Sequence, residues 1–204
     1  MKEMLKEAAI LFVITLLSGC LLGLVYEVTK EPIADARARE KEEACKEVFA
    51  DAESFTVRED LTKETAAPIM GEGDFAVDIE EVSEAYDANG ALLGYVLIVT
   101  DHEGYGGDIQ FSIGIRNDGT VNGISFLDIS ETAGLGMKAD PVLKEQFVDR
   151  QAEQFVYTKS EVISPDQIQA ISGATITTNG VVNGVNAGLT YFRTVLQEGG
   201  SVNE

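Results

Sequence analysis

Apolar and polar positions divide this chain into three unlike stretches. From Ala8 to Tyr26 nineteen consecutive residues, AAILFVITLLSGCLLGLVY, carry no charge. At about 1.5 Å per residue such a helix spans roughly 28 Å, close to the thickness of a bilayer's hydrocarbon layer. The run therefore predicts a transmembrane helix over 8–26 behind a short tail, 1–7. A charged stretch follows to about residue 75. Within it Glu31-Pro32 opens a segment that reads as a helix to about Ala50, because proline suits a first helical turn and Ile33, Ala44, Val48 and Phe49 give one apolar side. We read it as a solvated connecting helix with Cys45 an ordinary small hydrophobe on it. Residues 51–75, with Pro68 and Gly71-Glu72-Gly73, read as irregular.

Beyond residue 75 the pattern becomes that of strands. Val82–Tyr86 is a short strand, and Asn89-Gly90 is a hairpin turn leading into the apolar run Leu92–Thr100. Ile109–Ile115 alternates as a half-buried strand does, Asn117-Asp118-Gly119 is a second turn, and Val121–Ile129 returns. Asp140–Asp149 reads as a short helix with Pro141 in its first turn. The last element is a helix over Asn179–Gln197, with Val181, Val185, Leu189, Phe192 and Leu196 on one face. Gly180, Gly184 and Gly188 lie beside that face. Each costs the helix about 1 kcal/mol relative to alanine, which close approach to a sheet or a ligand would offset. Asn183, Asn186 and Arg193 argue against a membrane helix pair there. The fold class is α+β: one N-terminal transmembrane helix, a connecting segment over 27–75, and one domain over 76–204 with an antiparallel sheet packed by helices.

Composition then narrows the chemistry. Fifteen Lys plus Arg stand against 35 Asp plus Glu, a net charge of −20. Such a surface repels phosphates, which excludes a nucleic-acid partner and argues against docking on anionic lipid. Two cysteines (Cys20, Cys45), one histidine (His102) and no tryptophan cannot build a four-cysteine iron–sulfur cluster, a structural zinc site or a bis-histidine haem within the chain. Redox chemistry here would need a borrowed organic cofactor. The acid-rich stretches lack calcium-loop spacing and read as solvated faces, so no metal site is expected. Leu17-Ser18-Gly19-Cys20 resembles a lipobox, yet the chain stays apolar to Tyr26, so a retained single-pass anchor is preferred over a cleaved signal or a lipidated Cys20. Lys2 and Lys6 are balanced by Glu3 and Glu7, and flanking charge sets no orientation. His102 reads as a solvent-facing loop histidine and Tyr105 as a packed ring.

One short run has the character of a site. Ser172-Gly173-Ala174-Thr175-Ile176-Thr177-Thr178 brings small residues and hydroxyls into a helix N-terminus, where free N–H groups and the helix dipole suit an anion. A helix N-cap supplied by Thr177 or Thr178 explains the same residues. Upstream stand Glu131-Thr132-Ala133-Gly134-Leu135-Gly136 and Gly104-Tyr105-Gly106-Gly107.

In this order, behind a membrane anchor, the three motifs resemble the FMN-binding domain family of ion-translocating membrane redox complexes. Within it they resemble the G subunit of the Rnf electron-transport complex, and next the equivalent C subunit of the sodium-pumping NADH:quinone reductase. Ser172–Thr177 matches the family's signature of a hydroxyl residue, Gly-Ala, a second hydroxyl, any residue and a third hydroxyl. The upstream run is similar to the family's Glu-Thr-Pro-Gly-Leu-Gly, with Ala133 in place of proline. Where several members have a histidine two positions before the glutamate, this chain has Ile129.

The resemblance implies FMN covalently bound by a phosphoester to Thr177, with Thr175 and Thr178 as neighbours at the wrong offset. It implies further contacts from Ser172, Gly173, Ala174 and Thr175 to the phosphate, through amides near Gly173 and Ala174. Glu131, Thr132, Gly134, Leu135 and Gly136 would lie along the isoalloxazine ring. Such a tether needs neither histidine nor a spare cysteine. The implied role is electron relay, with no complete turnover site in this chain, inside a ferredoxin:NAD⁺ oxidoreductase coupled to Na⁺ or H⁺ transport. Partners would be the complex's other integral-membrane subunits and a flavin transferase, and the domain would face outward from the cell membrane. The alternatives are a component of the sodium-pumping NADH:quinone reductase, a stand-alone membrane flavoprotein, or a cofactor-free lipoprotein or binding module in which the threonine run is only a cap.

Overall fold

The computed structural model describes residues 2–197; Met1 and residues 198–204, the end of the expected 76–204 domain, lie outside the described residues. The chain divides into two units, Met1–Glu40 and Lys41–Glu204. The first is the greater part of a helix, α1 (Lys2–Val48), which contains Pro32. The helix expected to open at Glu31-Pro32 is therefore a continuation of the first. Proline removes one N–H and leaves the Val28 carbonyl without its helical donor, but both residues are exposed and solvent can serve the carbonyl. Among the described residues α1 is the one helix long and apolar enough to cross a membrane.

The second unit is built on a five-stranded sheet: β1 (Ser54–Val57), β2 (Val77–Tyr86), β3 (Leu92–Asp101), β4 (Ile109–Arg116) and β5 (Val121–Ile129). Strand order follows chain order, and every neighbouring pair is antiparallel. Between β1 and β2 lies α2 (Lys63–Glu72). Thus the stretch read as irregular holds a strand and a helix, and β2 begins at Val77 rather than Val82. After β5 come one 3₁₀ turn (Gly136–Lys138), α3 (Ala139–Phe147), the parallel pair β6 (Val156–Thr158) and β7 (Gln167–Gln169), and α4 (Thr175–Tyr191), which runs into a π-helical turn, Phe192–Gln197. The last helix starts at Thr175, four residues before the position its apolar periodicity suggested.

Helices cover both faces of the sheet, which is why β3 reads as an almost unbroken apolar run. On one face Leu97, Val99, Phe111 and Ile113 join the main core with Val181, Val185 and Leu189 of α4. Helix and sheet approach closely there: a Cβ on Gly184 would stand 2.6 Å from Phe111 Cζ, and one on Gly188 2.8 Å from Ile113 Cδ1. The glycine stripe serves contact with the sheet. Asn186, which spoiled the apolar pattern, is buried and pins residue 155 at both its amide and its carbonyl (2.8 and 2.9 Å).

On the other face the second unit's own first residues pack. Cys45, Val48 and Phe49 form a smaller core with Ala85 and Val96, and the Asn122 side chain donates to the Val48 carbonyl. The segment expected to be a solvated connector is a packed element from Ala44 onward. A chain beginning at Lys41 is expected to fold, whereas one beginning at Asp51 loses Phe49, a change worth about 3–5 kcal/mol for a buried phenylalanine. Urea midpoints of the two truncations check this; equal midpoints would contradict the packing role.

Candidate functional site

The N-terminus of α4 is left open. Its N-cap is Ala174, whose side chain has no acceptor, and its first helical hydrogen bond is Thr178 N–H to Ala174 O at 3.0 Å. The N–H groups of Thr175, Ile176 and Thr177 precede that bond and have no acceptor within the helix. Thr177 and Thr178 are thus first-turn residues, and the reading of either as the cap is corrected. The Ala174 amide, expected to face an anion, donates instead to Ile171 O at 3.0 Å. Gly173 turns the chain into the helix with φ of 80°, a conformation glycine adopts without strain.

The threonines have different tasks. The Thr178 hydroxyl donates to Ala174 O at 2.9 Å and accepts from Ile171 N–H at 3.1 Å, so it is a fully committed staple. The Thr177 side chain is buried, and among the described residues its hydroxyl makes no hydrogen bond. It faces Gly136. A Cβ on Gly136 would lie 2.8 Å from Thr177 Oγ1, 2.7 Å from Glu131 Oε2 and 2.6 Å from Glu131 Cβ. Only glycine lets the 131–136 loop come this close. The other carboxylate oxygen, Glu131 Oε1, accepts from Tyr105 N–H at 2.8 Å and so ties the 104–107 loop to the same wall.

These elements enclose a cavity of about 430 Å³, within the range of small-molecule and cofactor sites. Of the residues singled out in the sequence, Glu131, Thr132, Leu135, Gly136, Gly173, Ala174, Thr175 and Thr177 line it; Ser172 and Gly134 stand outside the lining. Sequence reasoning missed Tyr105 and Ile176, which also line it. Tyr105 is 70% exposed, not a packed ring. The loop leaves no room beneath it, since a Cβ on Gly104 would meet Gly107 O at 2.2 Å and one on Gly106 would meet Ser130 O at 2.1 Å. The available signal for Ile176 was an apolar residue inside a threonine-rich helix start.

Beside the site lies a buried charge that the sequence did not single out. Asp101 is fully buried against α4, where a Cβ on Gly180 would stand 2.5 Å from its Oδ1. Oδ1 accepts from Glu103 N–H at 2.9 Å, while Oδ2 has no partner among the described residues. Burial pushes its pKa up to about 6, reinforced by Glu103 and Asp108 and opposed by the Glu103 amide and His102. A carboxyl whose pKa is raised by folding binds its proton more tightly in the folded chain. Its contribution is therefore most favourable below about pH 4 and declines as pH rises, levelling above about 7, by roughly 3 kcal/mol in all. Asp101→Asn is expected to lack this component, so the difference between the two unfolding free energies should shift toward the variant between pH 4 and 7. Parallel profiles would contradict it.

His102 does not line the cavity. Its Nδ1 lies 3.0 Å from Asp108 and its Nε2 2.8 Å from Asp78. The two carboxylates hold its pKa above the ordinary value, Asp108 most strongly. His102 is an exposed loop residue, as expected, and its ring also clamps β2 to the loop after β3.

Residues 104–190 match the FMN-binding domain family, and residues 1–48 match the RnfG N-terminal region. The chain is 33% identical over 196 residues to the G subunit of the Na⁺-translocating ferredoxin:NAD⁺ oxidoreductase complex of Acetobacterium woodii, covering 94% of this chain and 93% of that one. It is 30% identical over 194 residues to the G subunit of the ion-translocating oxidoreductase complex of Methanosarcina acetivorans, covering 93% and 95%. The crystal structure of Shewanella oneidensis NqrC aligns with a TM-score of 0.50 at 23% identity, over 59% of this chain and 60% of that one, under two thirds of its length, and shows a shared fold. With near-complete coverage by these two relatives and an FMN-binding domain over its C-terminal half, this chain belongs to the RnfG family of ion-translocating oxidoreductase subunits.

Proposed function

We propose that this chain carries FMN esterified through its phosphate to Thr177, and relays electrons as a subunit of an ion-translocating ferredoxin:NAD⁺ oxidoreductase complex. The observation that carries the reading is the open start of α4, where an unbonded Thr177 hydroxyl and three uncommitted amides meet in one cavity.

The residues suit the cofactor. Tyr105, Leu135 and Ile176 give a planar ring apolar surface, and the amides of Thr175, Ile176 and Thr177 suit phosphate oxygens. The charged side chain in the lining is Glu131, with neither Lys nor Arg there to hold a free phosphate dianion. A phosphoester lowers that charge and retains the group without a cation, which favours covalent attachment over simple binding. When bound, FMN supplies one- and two-electron transfer; the protein supplies position and electrostatics. A separate flavin transferase would install it. The apolar part of α1 would anchor the chain in the cell membrane beside the other integral-membrane subunits, with the domain on the outer face.

The rival binding-module reading relied on a threonine cap, and Ala174 occupies that position. Co-expression with a flavin transferase, followed by denaturation and in-gel flavin fluorescence, tests the proposal. A fluorescent band is expected. A dark band, beside a labelled acceptor domain from another protein, would overturn it.

A further inference from the structure

Glu131 occupies a position that the proposed ester leaves unexplained. Its Oε1 is held by the Tyr105 amide, which turns Oε2 toward Gly136. Oε2 and Thr177 Oγ1 converge on the same point, 2.7 and 2.8 Å from where a Gly136 Cβ would sit. A carboxylate thus borders the hydroxyl of Thr177, a buried residue that lines the cavity and whose hydroxyl makes no hydrogen bond among the described residues, while the neighbouring Thr178 hydroxyl is spent on backbone. In the cavity lining Glu131 is also the one carboxylate. We infer that Glu131 is the general base for flavin attachment, and that its placement selects Thr177 over Thr175 and Thr178. The inference rests on the Thr177 phosphoester reading.

The step balances with a flavin adenine dinucleotide as donor. Thr177 Oγ attacks the flavin-side phosphorus, and the Oγ–P bond forms as the pyrophosphate P–O bond breaks. AMP leaves, and the hydroxyl proton passes to Glu131 Oε2. No atom changes oxidation state. General-base assistance to one hydroxyl raises that oxygen's nucleophilicity alone and typically contributes 10²–10⁴-fold. Neutralising Glu131 in the same step also removes the repulsion between its carboxylate and the newly tethered phosphate.

The test uses the full chain in detergent, purified without flavin, then mixed with a flavin transferase and flavin adenine dinucleotide. The initial rate of FMN attachment is read by intact mass. Glu131→Gln keeps an acceptor for the Tyr105 amide and loses the base, so it should label at least tenfold more slowly at pH 7 with an unchanged thermal midpoint. Its rate should climb with pH toward the wild-type rate as hydroxide substitutes. Glu131→Asp, which keeps a carboxylate, should fall between the two. Should Glu131→Gln fold poorly, an Asp variant no faster than Glu131→Ala overturns the inference. A Gln variant with wild-type rate and pH profile also overturns it, leaving Glu131 as a clamp for the 104–107 loop. Thr177→Val, run in parallel, separates the two claims, because a labelled valine variant defeats the ester reading itself.

Discussion

Thr177→Val is expected to leave the chain folded and wholly without covalent flavin. Valine has the shape of threonine and keeps the buried methyl, and the hydroxyl it removes makes no hydrogen bond among the described residues. Removal therefore strands no partner, and the thermal midpoint should move little. Flavin attachment, by contrast, needs that oxygen. Thr178→Val should do the opposite. It strands the buried Ile171 amide, at a cost of about 1–3 kcal/mol, while the Ala174 carbonyl keeps the Thr178 N–H, yet it should still carry flavin once folded. Flavin content by mass and fluorescence, together with melting temperature, separates the two. A labelled Thr177→Val, or a stable but unlabelled Thr178→Val, would reverse the assignment.

Gly136→Ala carries the second large effect. The new methyl would stand 2.6 Å from Glu131 Cβ, 2.7 Å from Glu131 Oε2 and 2.8 Å from Thr177 Oγ1, all closer than real carbon contacts allow. Neither side yields freely: Glu131 is held by the Tyr105 amide, and Thr177 lies in the first turn of a packed helix. Either the hydroxyl or the carboxylate must shift, and displacements near 1 Å at a reacting group cost on the order of 10²-fold in rate. Attachment should fall at least tenfold. Gly134→Ala makes the comparison, since its φ of 79° makes any side chain strained, by about 1–2 kcal/mol, but open space surrounds it. It should lose stability and keep labelling. Equal labelling of Gly136→Ala and wild type would mean that the loop and helix do not meet as described.

The strands of the sheet were legible because their period is local. Alternation and the turns at Asn89-Gly90 and Asn117-Asp118-Gly119 place β3, β4 and β5 within a residue of where the structure has them. The start of α4 was not, for a reason tied to the site. Helix starts are recognised by a polar cap, and here the cap is alanine, so β-branched Thr175, Ile176 and Thr177 read as a loop before the helix. The same missing cap leaves the amides open.

Burial of Val48 and Phe49 depends on the far face of a sheet whose residues lie distant in sequence, so their apolar spacing was visible and their partner was not. β6 and β7, at three residues each, are too short for any periodicity. Tyr105 is exposed on a loop whose Gly104 and Gly106 press against Gly107 and Ser130, contacts its own sequence does not show. Nothing adjacent to Asp101 in the chain shows that Gly180 lies over its carboxylate. Motif residues thus came from the sequence, while their roles came from long-range contacts.

The central claim, one FMN on one threonine, is tested most directly by tandem mass spectrometry of the tryptic peptide Ser160–Arg193, taken from the full chain co-expressed with a flavin transferase. That peptide contains Thr175, Thr177 and Thr178 together, so fragmentation decides among them. The expected result is a mass increase of one FMN less water, carried only by fragments that include Thr177. An unmodified peptide from a preparation in which a control acceptor is labelled, or a modification on Thr175 or Thr178, would contradict it.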